Sequence, residues 1–388
     1  MKARKFLEGA EAYILSVIED RRHGWWAVLV RSLLIALSLL FRGAVAIRLW
    51  LYSIGISKPY ELGCQVISIG NLTVGGTGKT PIVEVFARTL QQSGRKVAIL
   101  SRGYRKVEDP LWRRFWRWMT SDVQEYEPRV VSDGERLLLD SSLGGDEPFM
   151  LAQNLPKVAV LVDANRVNSG KYAVQKLGCD TLILDDGFQN FHLKHRVDIV
   201  LVDRTNPFGN RRLLPRGILR EPIRNLKRAD FIFITKSNGD GAVELKQTLR
   251  KYNPHAEVSE CRHSAKYLQD VFTKEKAPLE FIKGLPVAAI SGIASPKGFE
   301  DELIRLGAKV MYHKRYADHH RYTQQEIINV INKGIHRGAK IVVTTEKDAV
   351  RFPMLERRDL PIFFLRVEIE MLTGADEFRA WINRICFK

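Results

Sequence analysis

The sequence predicts an α/β fold: a largely parallel sheet, a smaller α/β region toward the C-terminus and amphipathic helices at the N-terminus. Three observations carry this. From residue 65 onward, short β-rich apolar runs alternate with helical stretches, the order that builds a parallel sheet with crossover helices. One strand-to-helix junction holds Gly75-Gly76-Thr77-Gly78-Lys79-Thr80. Ahead of residue 60, a long apolar run is broken only by charges at helical spacing.

In chain order, residues 66–69, 97–100, 158–162, 181–184, 199–202 and 231–234 read as strands. Residues 81–92 read as an amphipathic helix, with Gly94 placed to cap its C-terminus. A second series begins near Leu285, with strands 287–290 and 341–344 around helical segments 297–306 and 323–337. The charged, Pro-containing stretch before Gly284 marks a boundary near 280. The chain therefore divides into N-terminal helices (1–60), a phosphate-loop core (61–280) and a C-terminal α/β domain (281–388).

The N-terminal run from Trp25 to Ile47 contains Arg31 and Arg42, and only ten residues, 32–41, separate them. A spanning helix needs about 20 apolar residues. At about 100° per residue the two arginines differ by about 1100°, three turns and a small remainder, so they share a face. Ser38 falls on that face; Leu29, Leu33, Ala36, Leu40, Ile47 and Leu51 fall opposite, with Trp25, Trp26 and Trp50 near the ends. Such a helix suits a membrane interface, and the same stripe also suits packing on the protein's own core. Glu8, Glu11, Glu19 and Asp20 precede the run, which is wrong for a signal peptide.

The net charge is +17, which favours an anionic partner: nucleic acid, an acidic membrane or a phosphorylated substrate. No zinc-finger or RNA-binding aromatic motif is present, so nucleic acid is not expected, nor is an obligate protein partner. Cys64, Cys179, Cys261 and Cys386 lie far apart without metal-ligand or redox spacing and read as reduced.

Glycines let backbone N–H groups approach phosphate oxygens, and a helix N-terminus favours negative charge. The nucleotide loop therefore runs Thr73, Val74, Gly75, Gly76, Thr77, Gly78, Lys79 and Thr80, with Thr73 where the strict pattern has glycine. Lys79 would contact the β- and γ-phosphates and the Thr80 hydroxyl would bind Mg²⁺. The apolar strand 181–184 ends in Asp185-Asp186, carboxylates suited to the same Mg²⁺. Two classes fit: a phosphotransferase using ATP, or a membrane-associated GTPase or ATPase switch. Thr235-Lys236-Ser237-Asn238 follows a strand as a guanine-reading motif would, but Asn238 replaces the base-reading carboxylate.

Read in order, the motifs resemble the tetraacyldisaccharide 4′-kinase (lipid A 4′-kinase) family over almost the whole chain. They are Gly70-Asn71-Leu72 leading into the phosphate loop and Pro81, Ser101-Arg102-Gly103-Tyr104, Gly145-Asp146-Glu147-Pro148, Asp185-Asp186-Gly187-Phe188-Gln189, Gly209-Asn210, Leu213-Leu214-Pro215-Arg216-Gly217, Leu219-Arg220-Glu221, Gly292-Ile293 with Pro296, Asp318-His319 and Thr345-Glu346-Lys347-Asp348-Ala349-Val350. The family's loop commonly lacks the leading glycine, which accounts for Thr73. The resemblance implies transfer of the ATP γ-phosphoryl to the 4′-hydroxyl of a tetraacylated glucosamine disaccharide 1-phosphate, giving lipid IVA. It implies work at the cytoplasmic face of the bacterial inner membrane, peripheral or monotopic, among anionic lipids.

It further implies that Asp146 is the base, assisted by His319, with Lys79 as the third catalytic residue and Glu147 a further Mg²⁺ ligand. Because Asp146 and His319 fall on either side of the boundary at 280, the site is expected to complete by domain closure. Asn190 stands where that family has histidine, and His192 follows two residues later. The stretch from Arg204 to Arg228 holds eight Lys/Arg and one Glu, suited to phosphate or acidic headgroups. Trp112, Phe115, Trp116 and Met119 line one helical face beside Arg113 and Arg117, a candidate second membrane contact.

Overall fold

The computed structural model describes residues 13–103, 126–355 and 359–386, so the aromatic segment 110–119 lies outside the described residues. Its strands are β1 (Gln65–Asn71), β2 (Val97–Ser101), β3 (Arg129–Asp133), β4 (Ala159–Val162), β5 (Thr181–Asp185), β6 (Val197–Asp203), β7 (Phe231–Thr235), β8 (Glu257–Asp270), β9 (Lys276–Ala277), β10 (Pro286–Ser291), β11 (Lys309–Arg315), β12 (Ile341–Thr345) and β13 (Ile362–Met371). All eight strands and all three helices expected from residue 65 onward are present. The chain forms two compact units: Met1–Lys79 with Asp180–Arg262 and Met371–Lys388, and Thr80–Cys179 with His263–Glu370. Each is assembled from separated stretches, so they group residues differently from the consecutive division at 60 and 280.

In the first unit the strands run in the order β8-β7-β6-β1-β5, all parallel. Every residue of β1 is buried, as expected of a central parallel strand covered on both faces. One face packs Phe188, Val200, Val202, Ile232 and Ile234 with Leu213, Leu219 and Leu226 from the connection between β6 and β7. On Phe231 and Phe233 sits the C-terminal helix Ala375–Cys386, through Phe378 and Trp381. β6 continues to its neighbour β7, while β1 continues past β5 on the other side, so the connections from the carboxyl ends of these two adjacent strands leave in opposite directions. That is the switch point where ligands bind open α/β sheets.

The helix Trp25–Ser53 belongs to this unit and is long and apolar enough to cross a membrane by length and composition. It is turned contrary to a helix of a water-soluble core. Its polar stripe faces protein: Arg31 pairs with Asp20 at 3.3 Å, Ser38 donates to the Leu213 carbonyl at 2.9 Å, and Phe41 packs on the core below. Ala27 and Leu34 are buried with Val17. Leu29, Leu33, Ala36, Leu40 and Ile47 are exposed, Leu40 at 72%. The sequence divided these faces correctly; only tertiary packing shows which one the protein covers. Arg42 stays exposed.

In the second unit β11-β10-β12-β13 form a parallel group. β2 pairs β4 in parallel and β3 pairs β4 antiparallel. The helix Lys79–Gln92 carries Ile82, Val83, Phe86 and Leu90 inward, each worth about 1.5–3 kcal/mol over an exposed position. Gly94, at φ +85°, closes it. The helix Gln324–His336 begins with a reciprocal cap, Thr323 accepting from the Glu326 amide and Glu326 accepting from the Thr323 amide. Buried Arg366 of β13 joins Glu84 to Glu346, and Asn154 donates to Glu346 at 2.7 Å.

Candidate functional site

The phosphate loop leaves the carboxyl end of β1, whose last turn is shaped by steric need. A side chain at Gly70 would meet Phe188 at 2.7 Å, so only glycine lets the Asp-Asp-Gly-Phe-Gln segment lie against β1. Asn71 then organises the loop: its amide nitrogen donates to Thr77 Oγ1 at 3.1 Å, its side-chain oxygen accepts from Lys79 Nζ at 3.3 Å, and its carbonyl accepts from Gln189 at 3.0 Å. Gly75 and Gly78 take φ of +116° and +79°, which residues with a Cβ rarely adopt. Thr80 is buried at the start of the helix Lys79–Gln92.

Asp185 ends β5, opposite Ile69 of β1. Asp186 follows in left-handed backbone, φ +57°, an outlier of the kind that marks functional turns. Its carboxylate lies 3.1 Å from Lys79 Nζ and accepts from Arg220 Nη1 at 2.8 Å. Burial alone would raise its pKa, but Lys79 and Arg220 outweigh that and hold it below the ordinary value. Arg220 is a functional candidate the sequence reading did not single out. The segment carrying it is tied to the loop, since the Arg220 amide donates to the Leu72 carbonyl at 2.7 Å and the Val74 amide to the Ile218 carbonyl at 2.8 Å.

Mg²⁺ bound with nucleotide phosphates needs only one or two carboxylates beside its waters. Thr80, Asp185 and Asp186 offer the oxygen donors that ion takes, so the residues fit it. Among the described residues no group of three His, Cys, Asp or Glu forms a metal cage. Glu147 is engaged by Lys347. In the first unit, Asn190 accepts from the His192 amide at 3.1 Å, and His192 faces the Tyr52 hydroxyl at 3.3 Å. Burial, then Arg48, hold its imidazole below the ordinary pKa.

The second unit holds the other group of expected residues. Asp146 opens the helix Asp146–Asn154 after Gly145, whose φ of +91° turns the chain into it. His319 Nδ1 lies 3.2 Å from Asp146 Oδ2, although 173 residues separate them. Both belong to the same compact unit and already touch, so their pairing requires no domain closure; strand order had to be known to see this. His319 sits in left-handed backbone, φ +60°, a region uncommon outside glycine.

Two arginines complete the group. Arg351 Nε donates to Asp146 Oδ2 at 2.8 Å, and Arg321 brings its guanidinium to 2.9 Å from Oδ1 as an ion pair without an aligned hydrogen bond. Arg351 Nη2 also lies 3.3 Å from His319 Nδ1. Arginine only donates, so Nδ1 can accept from Arg351 or donate to Asp146 but cannot do both at once. Neither arginine was singled out from sequence, because no spacing links them to Asp146.

At the end of Phe231–Thr235, Lys236 pairs with Asp203 and Asn238 accepts from Arg204. No carboxylate stands at position 238 to read guanine.

A parallel sheet with a Gly-Gly-Thr-Gly-Lys-Thr loop at its switch point and an acid on the neighbouring strand end defines a P-loop nucleotide-binding protein. The profile described as tetraacyldisaccharide-1-P 4′-kinase, LpxK, matches residues 30–386. The tetraacyldisaccharide 4′-kinase of Halothermothrix orenii is 35% identical over 391 residues, spanning 96% of this chain and 97% of the relative. That of Anaeromyxobacter dehalogenans is 42% identical over 350 residues, 88% of this chain and 87% of its own. A crystal structure of LpxK from Aquifex aeolicus in complex with ATP superposes with a TM-score of 0.71 at 28% identity, over 92% of this chain and 100% of that one. The chain belongs to the tetraacyldisaccharide 4′-kinase family and is a P-loop kinase; the switch reading is not favoured.

Proposed function

We propose that the protein transfers the γ-phosphoryl of ATP to the 4′-hydroxyl of a tetraacylated glucosamine disaccharide 1-phosphate, giving lipid IVA at a membrane surface. The observation that carries the reading is the contact of Asp146 with His319, two residues 173 apart in the chain, in a protein whose phosphate loop already arms Lys79.

Phosphoryl transfer needs positioning and charge stabilisation more than covalent chemistry. Lys79, held by Asn71 and Asp186, exchanges its carboxylate for the β- and γ-phosphates when nucleotide enters. Backbone amides of residues 73–80 cradle the phosphates. Thr80 with Asp185 or Asp186 would hold Mg²⁺, which supplies charge neutralisation of the phosphates when bound. Asp146 takes the proton of the 4′-hydroxyl as the new O–P bond forms and the bond to ADP breaks. His319 supports Asp146 from its more open side and Arg351 from behind. Glu147 stands beside them as a secondary metal candidate, reached only by leaving Lys347.

The helix Trp25–Ser53 gives the membrane side. Its outward apolar face and its inward Arg31 and Ser38 suit a bilayer interface, at the cytoplasmic leaflet where ATP is available. The deciding experiment is a thin-layer assay of purified protein with labelled ATP and the acyl-disaccharide 1-phosphate. A bis-phosphorylated lipid is expected; its absence overturns the reading.

A further inference from the structure

The basic stretch from Arg204 to Arg228 divides sharply by what its side chains touch. Arg204 pairs with Asp240, Arg216 with Asp20, Arg220 with Asp186 and Arg228 with Glu221. Arg211, Arg212 and Arg224 pair with nothing among the described residues. With Arg42 of the helix Trp25–Ser53, also unpaired, these three line one cleft of about 370 Å³ whose walls include Leu39 and Tyr252. Four guanidinium groups gathered without a carboxylate repel one another, and an anion between them relieves that repulsion.

The loop presenting two of them is rigid. A Cβ at Gly217 would stand 2.2 Å from the Arg212 carbonyl oxygen and the Asn210 side chain, and one at Gly209 would stand 2.7 Å from Ile218. Asn210 donates to the Ile18 carbonyl at 2.9 Å and the Arg216 carbonyl at 3.0 Å, while Arg216 is buried on Asp20 at 2.6 Å. Between these anchors Arg211 is held in left-handed backbone, φ +59°. Exposed arginines at a surface of no consequence would not need a strained, sterically closed loop beneath them.

The same loop continues into Ile218 and Arg220, which are hydrogen-bonded to Val74 and Leu72 of the phosphate-loop segment. The cationic cleft and the phosphate loop are therefore fixed to one another within a single compact unit. One wall of the cleft is the helix whose far side is exposed and apolar. An anion bound here would belong to a molecule that also lies in lipid. A bulk phospholipid would draw no benefit from rigid coupling to the nucleotide loop, whereas an acceptor that must meet the γ-phosphoryl in register would.

We propose that this cleft binds the phosphate ester already carried by the acceptor glycolipid, with Arg42, Arg211, Arg212 and Arg224 as its donors. The inference rests on the kinase reading for the identity of the lipid, but not for the existence of an anion site. Arginine reads a phosphate monoester bidentately, which gives orientation as well as charge. The site would select an acceptor phosphorylated at one end and hold the other end toward the phosphate loop.

The test uses the full chain, with the acyl-disaccharide 1-phosphate and its phosphate-free analogue as acceptors. It compares wild type with Arg42→Gln, Arg211→Ala/Arg224→Ala and Arg211→Lys/Arg224→Lys. The preference for the phosphorylated acceptor, as a ratio of kcat/KM values, should fall about tenfold or more in the alanine variant and less in the lysine variant. Flotation with phosphatidylcholine vesicles doped with either acceptor, or with phosphatidylglycerol, reads binding without turnover. Loss confined to the 1-phosphate lipid supports the proposal. Equal loss on phosphatidylglycerol, or an unchanged ratio, overturns it. Wild type that binds the 1-phosphate lipid selectively but phosphorylates nothing would defeat the kinase reading and leave the cleft standing. Should the double variant unfold, Arg42→Gln, at an exposed residue on the cleft's helix wall, decides alone.

Discussion

Arg351 donates through Nε to Asp146 Oδ2 at 2.8 Å from a side chain with 0% exposure, and its Nη1 donates to Asp348 Oδ1 at 3.2 Å. Asp348 in turn accepts from the Gly292 amide at 3.1 Å and the Tyr322 hydroxyl at 2.8 Å. Burial and the charge of Asp348 push the Tyr322 phenol up, so it stays a donor. Asp146 is thus positioned from the interior, while His319, 28% exposed, meets it from the open side. Arg351→Met should cost about 3–5 kcal/mol in urea unfolding, because it removes the buried cation that Asp146 and Asp348 share. Arg351→Lys should recover part of this. A loss under about 1 kcal/mol for the Met variant would show that the pairing carries little.

Asp146→Ala and His319→Ala should each lower kcat more than they raise the KM for ATP. If the pair acts as a unit, the double variant should be no slower than the slower single one. Steady-state kinetics of all three decide this, and fully additive losses would separate the two residues.

Lys79→Ala should lower turnover by about a hundredfold or more, through lost stabilisation of developing phosphate charge. Near-normal turnover would remove the phosphate-loop assignment.

Asp186 sets an acid-stability limb. Lys79 and Arg220 hold its pKa below 3.8 in the folded state, despite burial that opposes them, so the unfolded chain binds protons first as pH falls. The contribution is present above 3.8 and disappears as pH drops through the folded value. Urea midpoints measured from about pH 6 down to about pH 3 should fall less steeply for Asp186→Asn than for wild type. Parallel slopes would mean that the ion pairs contribute nothing.

On the N-terminal helix, Leu33, Leu40 and Ile47 face outward while Leu34 is buried with Val17 and Ala27. Changing the first three to Ser should release the protein from vesicles and leave the thermal midpoint nearly unchanged. Leu34→Ser should do the reverse, costing about 2–4 kcal/mol of stability. A large stability loss from the outward triple change would mean that the face is covered by protein.

Much of the fold was legible because parallel strands, buried on both faces, are continuous apolar runs. β1, β2, β5, β7, β10 and β12 all stood out this way. Strands that alternate or extend toward solvent did not: β8 mixes buried with exposed positions, β11 has only half-buried and exposed ones, and both carry Lys, Arg and His. The helices Asp146–Asn154 and Val243–Tyr252 do not follow from the sequence pattern either, the first because Gly145 and Pro148 interrupt the helical signal at its start.

The sequence by itself determined the phosphate loop, the acid at the strand end and the two faces of the N-terminal helix. Each is written in neighbouring residues whose geometry follows from local backbone repeat. Tertiary structure alone decided that Asp146 meets His319 within one unit, and that Arg351 and Arg321 hold it there. It likewise decided that Asn71 and Arg220 arm the loop, and which face of the helix is turned outward. The reason is physical. Contacts across 173 or 205 residues depend on strand order and register, and no local periodicity encodes them.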